Sequence, residues 1–344
     1  MLLPQPYLQV VLFGASLTWS MRAPYGQRYA DCLEQALRAR LGGAIVVDVA
    51  ACGAGGNTAR EALPRLDRDV AAYQPDVVVV SLGANDCGRE EKAVFEKAYV
   101  EVLQALAERT AALVVCETTP VLDEEWHAYR DRDFAKAAGG INRHIEAFTH
   151  EYVRRTVAAR GLILHDRFRI YHDALAADPG VRERLIRRDG VHLTEAGNAF
   201  FAETLAERIT AALPGRPTRP AGSAAEWLAK ANGNAVLQAA MAAAQADDPA
   251  ALRGVLLRDD PVTRLMLQQA RSCARRAGAL STDEAQRAAA ERLAALAAAF
   301  LGMQRVLNPA TPLAASGSRS WVEERLRGVD AVPAGLQRLC QEAP

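Results

Sequence analysis

The segment Val10-Val11-Leu12-Phe13-Gly14-Ala15-Ser16-Leu17-Thr18 runs a short, β-rich apolar stretch directly into a turn of small residues that carries a serine. An apolar run of this length, stopped by a glycine, reads as a buried strand that leaves its sheet at Gly14. The same signal recurs at 44–49, 77–82, 113–116 and 162–164. Between these runs, residues 25–41, 57–72, 91–109, 140–160 and 194–213 have helical spacing, and Gly42 and Gly161 stand where helices usually stop. Short strands alternating with longer helices imply an α/β chain with five parallel strands covered by helices.

The first three strand-like runs each end in a block with chemical potential. Ser16 follows the first, and by itself a turn serine is also an ordinary helix cap. Ala51-Cys52-Gly53-Ala54-Gly55-Gly56-Asn57-Thr58 follows the second, and its glycines let backbone N–H groups approach an anion, although a loop of small residues can equally be a plain turn. Ser81-Leu82-Gly83-Ala84-Asn85-Asp86 follows the third and offers an amide donor, with turn chemistry as the competing reading. Asp189-Gly190-Val191-His192 arrives in the loop before the last helix of this region. A serine hydroxyl becomes a nucleophile when an imidazole takes its proton, and the imidazole needs an acid to hold its tautomer. Open α/β sheets place ligands beyond the carboxyl ends of their strands, where these blocks fall.

These four blocks, in this order, resemble those of the SGNH hydrolases, the GDSL-type esterase and lipase superfamily, over about residues 8–213. The stretch 53–63 with Arg60-Glu61-Ala62-Leu63, and 189–198 with Leu193 and Gly197, look most like the isoamyl-acetate-hydrolysing branch. The resemblance implies a three-layer α/β/α, flavodoxin-like fold and a serine hydrolase acting on a carboxylic ester or thioester through an acyl-serine. It makes Ser16 the nucleophile, His192 the general base and then acid, and Asp189 the residue that orients His192. It builds the oxyanion hole from the backbone N–H of Ser16, the backbone N–H of Gly56 and the side chain of Asn85. Two departures stand out: Ala15 replaces the usual aspartate beside the nucleophile, and Ala51 replaces a frequent asparagine. The double glycine leaves Gly55 as the alternative to Gly56.

The chain has 344 residues, half of them hydrophobic, enough for a sizeable core and a second unit. Lys plus Arg equals Asp plus Glu at 41 each, which disfavours nucleic acid and anionic membranes as partners. Six scattered cysteines have neither zinc-site spacing nor disulfide density and read as reduced thiols of a cytoplasmic protein. No signal-peptide or membrane-spanning pattern opens the chain. No cluster has metal-ligand spacing, and no cofactor is implied. His165-Asp166 and His172-Asp173 are neighbours that face opposite ways on a strand and read as local hydrogen-bonding groups, while His127, His144 and His150 read as surface residues. Cys87 reads as a buried structural thiol that could line the site. Residues 117–140 mix Trp126, Tyr129 and Phe134 with charges and form a candidate pocket wall or flap, or a solvated helix.

Composition shifts after residue 213. Residues 214–223 carry three prolines and read as a linker, separating a catalytic unit 1–213 from an all-helical unit 224–344. In that unit Asp248-Pro249 and Asp260-Pro261 read as helix starts, Ser281 with Glu284 as a capping box, and 309–318 as an irregular loop before a short helix at 321–327. Arg271, Arg275 and Arg276 cluster on one helix and read as a solvated basic face, with an acidic partner as the alternative. The helical unit leaves open an acyltransferase using the same acyl-enzyme, a carrier-bound substrate, a homodimer through these helices, or an inert binding or scaffold protein.

Overall fold

The structure is a computed structural model and describes residues 2–213, 222–258, 260–307, 312–327 and 329–342. Five parallel strands, β1 (Tyr7–Gly14), β2 (Val46–Gly53), β3 (Val77–Ser81), β4 (Leu113–Glu117) and β5 (Ile163–His165), lie in the order β2-β1-β3-β4-β5. Every residue of β1 is buried, as befits a strand covered on both faces. Val10, Leu12, Val79 and Val115 pack under α2 (Tyr29–Leu41) and the helix Glu195–Ala212. Val11, Phe13, Val78 and Val80 face the helices Lys92–Arg109 and Glu151–Arg160 on the other side. The chain goes from β1 out to β2 and then returns to β3 on the opposite side of β1, so the connections diverge there. In register, Gly14 sits level with Gly53 and Ser81, and the loops after β1, β2 and β3 leave the sheet side by side. A crevice opens at this switch point.

Three segments differ from the sequence reading. Residues 57–72 form a chain of short turns, Ala59–Ala62, Leu63–Arg65 and Leu66–Asp69, because Pro64 lacks the N–H that a continuous helix needs. The helix from Glu284 is capped by Asp283, whose Oδ1 accepts from the Gln286 N–H at 2.7 Å, with Ser281 Oγ bonding Asp283 and Gln286 instead of forming the expected box. In place of a loop to 318, a helix spans Pro312–Leu326, and a further one spans Ala334–Glu342. Most of the linker reading, residues 214–221, lies outside the described residues. Asp248 caps Pro249–Leu257 as the sequence implies.

The helices beyond residue 223 share a core that includes Trp227, Leu252, Leu267, Leu296 and Phe300. One of them, Asp260–Leu280, lies along β2, an edge strand whose outward carbonyls would otherwise be open. Arg275 donates to Val47 O at 2.8 Å and meets Asp48 at 2.5 Å and Glu34 at 2.9 Å. Arg264 donates to Ala51 O and Gly53 O, and Arg276 to Tyr73 O. The expected solvated basic face is therefore a packed one: Arg264, Arg271 and Arg275 recur at helical spacing on the side that meets β2, where Asp48 is fully buried. Burial alone would raise the Asp48 carboxyl, but Arg275 and Arg271 bring it down to about 2. No helix among the described residues is long and apolar enough to cross a membrane.

Candidate active site

The last residue of β1 has to be a glycine, because a side chain on Gly14 would strike Thr18 Oγ1 at 2.2 Å and Ser81 O at 2.4 Å. Ser16 then opens the one-turn helix α1 (Ser16–Trp19). With Ala15 in place of an acidic residue, the turn is braced by other groups. Gly14 O accepts from Arg65 Nη2 at 2.6 Å and from Ala54 N at 3.1 Å. Arg65 also holds Cys52 O and Asn57 Oδ1, tying the ends of β1 and β2 to the loop that follows. Gly53 packs so closely on Ala15 O and Trp19 N that a Cβ would lie 2.3 and 2.5 Å from them. On the outer side the guanidiniums of Arg264 and Arg305 stack on the Trp19 ring at 4.7 and 5.3 Å, and Arg305 donates to Met21 O.

His192 comes from a tight turn closed by Arg187 N to His192 O at 2.8 Å and Gly190 N to Arg187 O at 2.9 Å. Asp189 Oδ1 accepts the backbone N–H groups of Val191 and His192, and Oδ2 lies 2.8 Å from His192 Nδ1. His192 Nε2 is 3.0 Å from Ser16 Oγ. Partial burial works against the Asp189 charge, but the hydrogen bond and charge of His192 prevail and hold its carboxyl well below the usual range. An ionised Asp189 accepts from Nδ1–H, which leaves the Nε2 lone pair for the serine proton.

Asn85 lines the same cavity as Ser16 and His192, and its Nδ2 donates to Asn57 O at 2.9 Å, which leaves the amide a second N–H. After β2, Asn57 N is bound to Ala54 O, while the N–H groups of Gly55 and Gly56 make no hydrogen bond among the described residues. Gly56 has φ +77°. Neither glycine reaches the cavity wall, so Ser16, Asn85 and His192 are brought together, with Asp189 behind His192 and Gly56 in the adjoining loop. The cavity measures about 90 Å³. Leu17, Leu82, Leu122 and Val191 make its apolar side, and Thr119, His127 and Tyr129 close it from the segment after β4.

That segment answers the wall reading of 117–140, and it contains a residue the sequence placed wrongly. His127 is only 9% exposed, because Asp123 folds the segment inward. Asp123 Oδ1 accepts from Glu125 N and Trp126 N, Arg182 forks onto its carboxylate at 2.7 and 2.8 Å, and Asp123 N donates to Gly190 O at 2.8 Å. His150, also expected at the surface, is buried beside Phe168, and burial together with Arg154 pushes it down to about 3. His165 is bonded to Glu117 and Thr204, and His172 stacks on Phe168, both outside the cavity. Cys87 is buried, donates to Ala84 O, and takes no part in the wall. Nothing in local sequence marks His127 or Arg65, whose contacts join distant segments.

The sequence model of the GDSL-like lipase/acylhydrolase family matches residues 12–200. Among solved structures, the chain is similar to an acetyl xylan esterase at 24% identity, over 60% of this chain and 100% of that one, with a TM-score of 0.47. It is similar to a lipase/acylhydrolase from Enterococcus faecalis at 22% identity, over 61% and 99%, with a TM-score of 0.47. It is also similar to the psychrotrophic esterase EstA from Pseudoalteromonas sp. at 17% identity, over 59% and 97%, with a TM-score of 0.44. No curated protein matches the chain. The family match spans more than half of the 344 residues and includes the strand ends that carry Ser16 and Asn85 and the turn that carries His192, and the chain belongs to the GDSL-like lipase/acylhydrolase family.

Proposed function

We propose that the chain is a serine ester hydrolase for short acyl groups. The observation that carries this reading is the hydrogen-bonded series from Ser16 Oγ through His192 to Asp189, at 3.0 and 2.8 Å. Ser16 Oγ attacks the ester carbonyl as His192 Nε2 takes its proton, and Asp189 stabilises the imidazolium. The Ser16 N–H and the second N–H of Asn85 receive the developing oxyanion, and the Gly56 N–H of the adjoining loop is the third donor that the family resemblance implies. His192 then protonates the departing alcohol or thiol. Water attacks the acyl-serine with His192 again as base, which releases the acid and restores Ser16.

The cavity is small, and its apolar side of Leu17, Leu82, Leu122 and Val191 suits an acetyl or propionyl chain, which leaves the His127 side to the alcohol half. The helical unit calls for no second acyl acceptor to account for it, since the Asp260–Leu280 helix covers the β2 edge. Six free thiols accord with a reducing, cytoplasmic setting. The test is a series of p-nitrophenyl esters from acetate to octanoate. Wild type should lose at least about tenfold in kcat/KM along the series, and Ser16→Ala should fall to the uncatalysed background. A flat or rising profile contradicts the short-acyl assignment, and an active Ser16→Ala contradicts the serine mechanism.

A further inference from the structure

His127 stands in the wall of the catalytic cavity, yet neither the triad nor the oxyanion donors use it. Its Nδ1 accepts the backbone N–H of Tyr129 at 3.1 Å. A ring nitrogen that accepts an N–H carries no proton, so in the neutral ring the hydrogen sits on Nε2. Burial pushes His127 below its ordinary range, and the neighbouring His192 adds to this against the opposing charge of Asp189. Nε2 makes no hydrogen bond among the described residues and belongs to a ring on the cavity wall. The ring is also held in place. It packs edge-on against Tyr129 with centroids 4.8 Å apart, and its backbone lies directly on Gly190, where a Cβ would come within 2.4 Å of His127 N. The result is a neutral N–H donor of fixed tautomer, mounted beside the catalytic turn.

Its position decides which half of a substrate it meets. His192 delivers a proton to the leaving oxygen, so the alcohol half of the ester departs on the His192 side, where His127 stands. We propose that His127 is a specificity-determining residue whose Nε2–H binds an acceptor oxygen on the alcohol half, close to the scissile ester. The substrates it selects are short-chain acyl esters of polyol-type alcohols, in which a hydroxyl or ether oxygen lies within two carbons of the ester oxygen. This inference rests on the serine ester hydrolase reading above. A site built to donate a hydrogen bond disfavours the analogue that lacks the acceptor, because its own donor is then left unpaired.

Two esters isolate the contact: 2-methoxyethyl acetate and butyl acetate, which differ by an oxygen in place of one methylene. kcat/KM is measured for both with wild type, His127→Ala and His127→Gln, and Ser16→Ala is run beside them. His127→Ala should lose about tenfold more on the methoxyethyl ester than on the butyl ester, the kinetic equivalent of one neutral hydrogen bond. His127→Gln, which reaches the Nε2 position with an amide N–H, should recover part of that difference, and it carries the comparison if the alanine variant does not fold. Equal losses on the two esters, or no loss on either, overturn the assignment to His127 while leaving an inactive Ser16→Ala to uphold the hydrolase. Turnover of both esters by Ser16→Ala overturns the hydrolase reading itself.

Discussion

Gly190 is the point where the turn that carries Asp189 and His192 touches the segment after β4, and it has no room for a side chain. Its φ of +77° is in the region that glycine alone adopts freely, and a Cβ would also collide with the His127 backbone. Gly190→Ala should therefore push apart the two walls of the site and shift His192 from Ser16. A misplacement of about 1 Å costs on the order of a hundredfold, so kcat/KM on p-nitrophenyl acetate should fall by about that factor, and a value within threefold of wild type would contradict the geometry. Asp86 provides a test of a different kind. Its carboxyl is fully buried, one oxygen accepts Ala59 N at 2.9 Å, the other has no partner among the described residues, and burial raises it to about 6 from 3.8. The fold thus favours the protonated acid, a contribution complete below the unfolded value and lost as pH rises through about 6. Asp86→Asn should raise the melting temperature above pH 7, where the carboxylate is buried charged, and the gain should vanish near pH 4. A gain that does not depend on pH would contradict this. Ser16, Asn85, Asp189 and His192 were legible in the sequence because each lies in a block beside a strand end or helix start. His127 and Arg65 were not, since a histidine in a charge-rich stretch and an arginine after Pro64 acquire their roles from segments far along the chain.

At the scale of elements, strands were the most legible feature, since a strand buried on both faces must be a continuous apolar run, as in Val77–Ser81. Helices were legible in kind but less so in extent: a single proline broke up 57–72, and the serine- and glycine-bearing stretch after Pro312 proved helical. Least legible was the arginine face of Asp260–Leu280, because periodicity shows which side of a helix is charged but not that Asp48 and Glu34 await it across the β2 edge. Arg275 is the centre of that contact. Removing one partner of a buried ion pair leaves the other charge unsatisfied, at about 3–5 kcal/mol. Arg275→Ala should lower the urea midpoint by that stability, and a loss below about 1 kcal/mol would show that the helix covers β2 without depending on the pair.

Over the whole molecule, the formal charge of zero conceals a division of labour. Arginines of the helical unit close the open edge of the sheet and, through Arg264 and Arg305 on Trp19, support the helix that begins at Ser16. Tyr25, just beyond α1, packs into the helical core and accepts contact from Trp321 at 4.8 Å. The connection after β1 is therefore shared by both cores, which accounts for a Ser16 turn that holds its shape without an acidic residue at position 15. All of this serves one chemical claim, that Ser16 is the nucleophile. The most direct test is to treat the protein with a fluorophosphonate at neutral pH and locate the adduct by peptide mass spectrometry. The account predicts a single phosphonyl group on Ser16, absent in Ser16→Ala, and an adduct on another residue or undiminished labelling of the variant would contradict it.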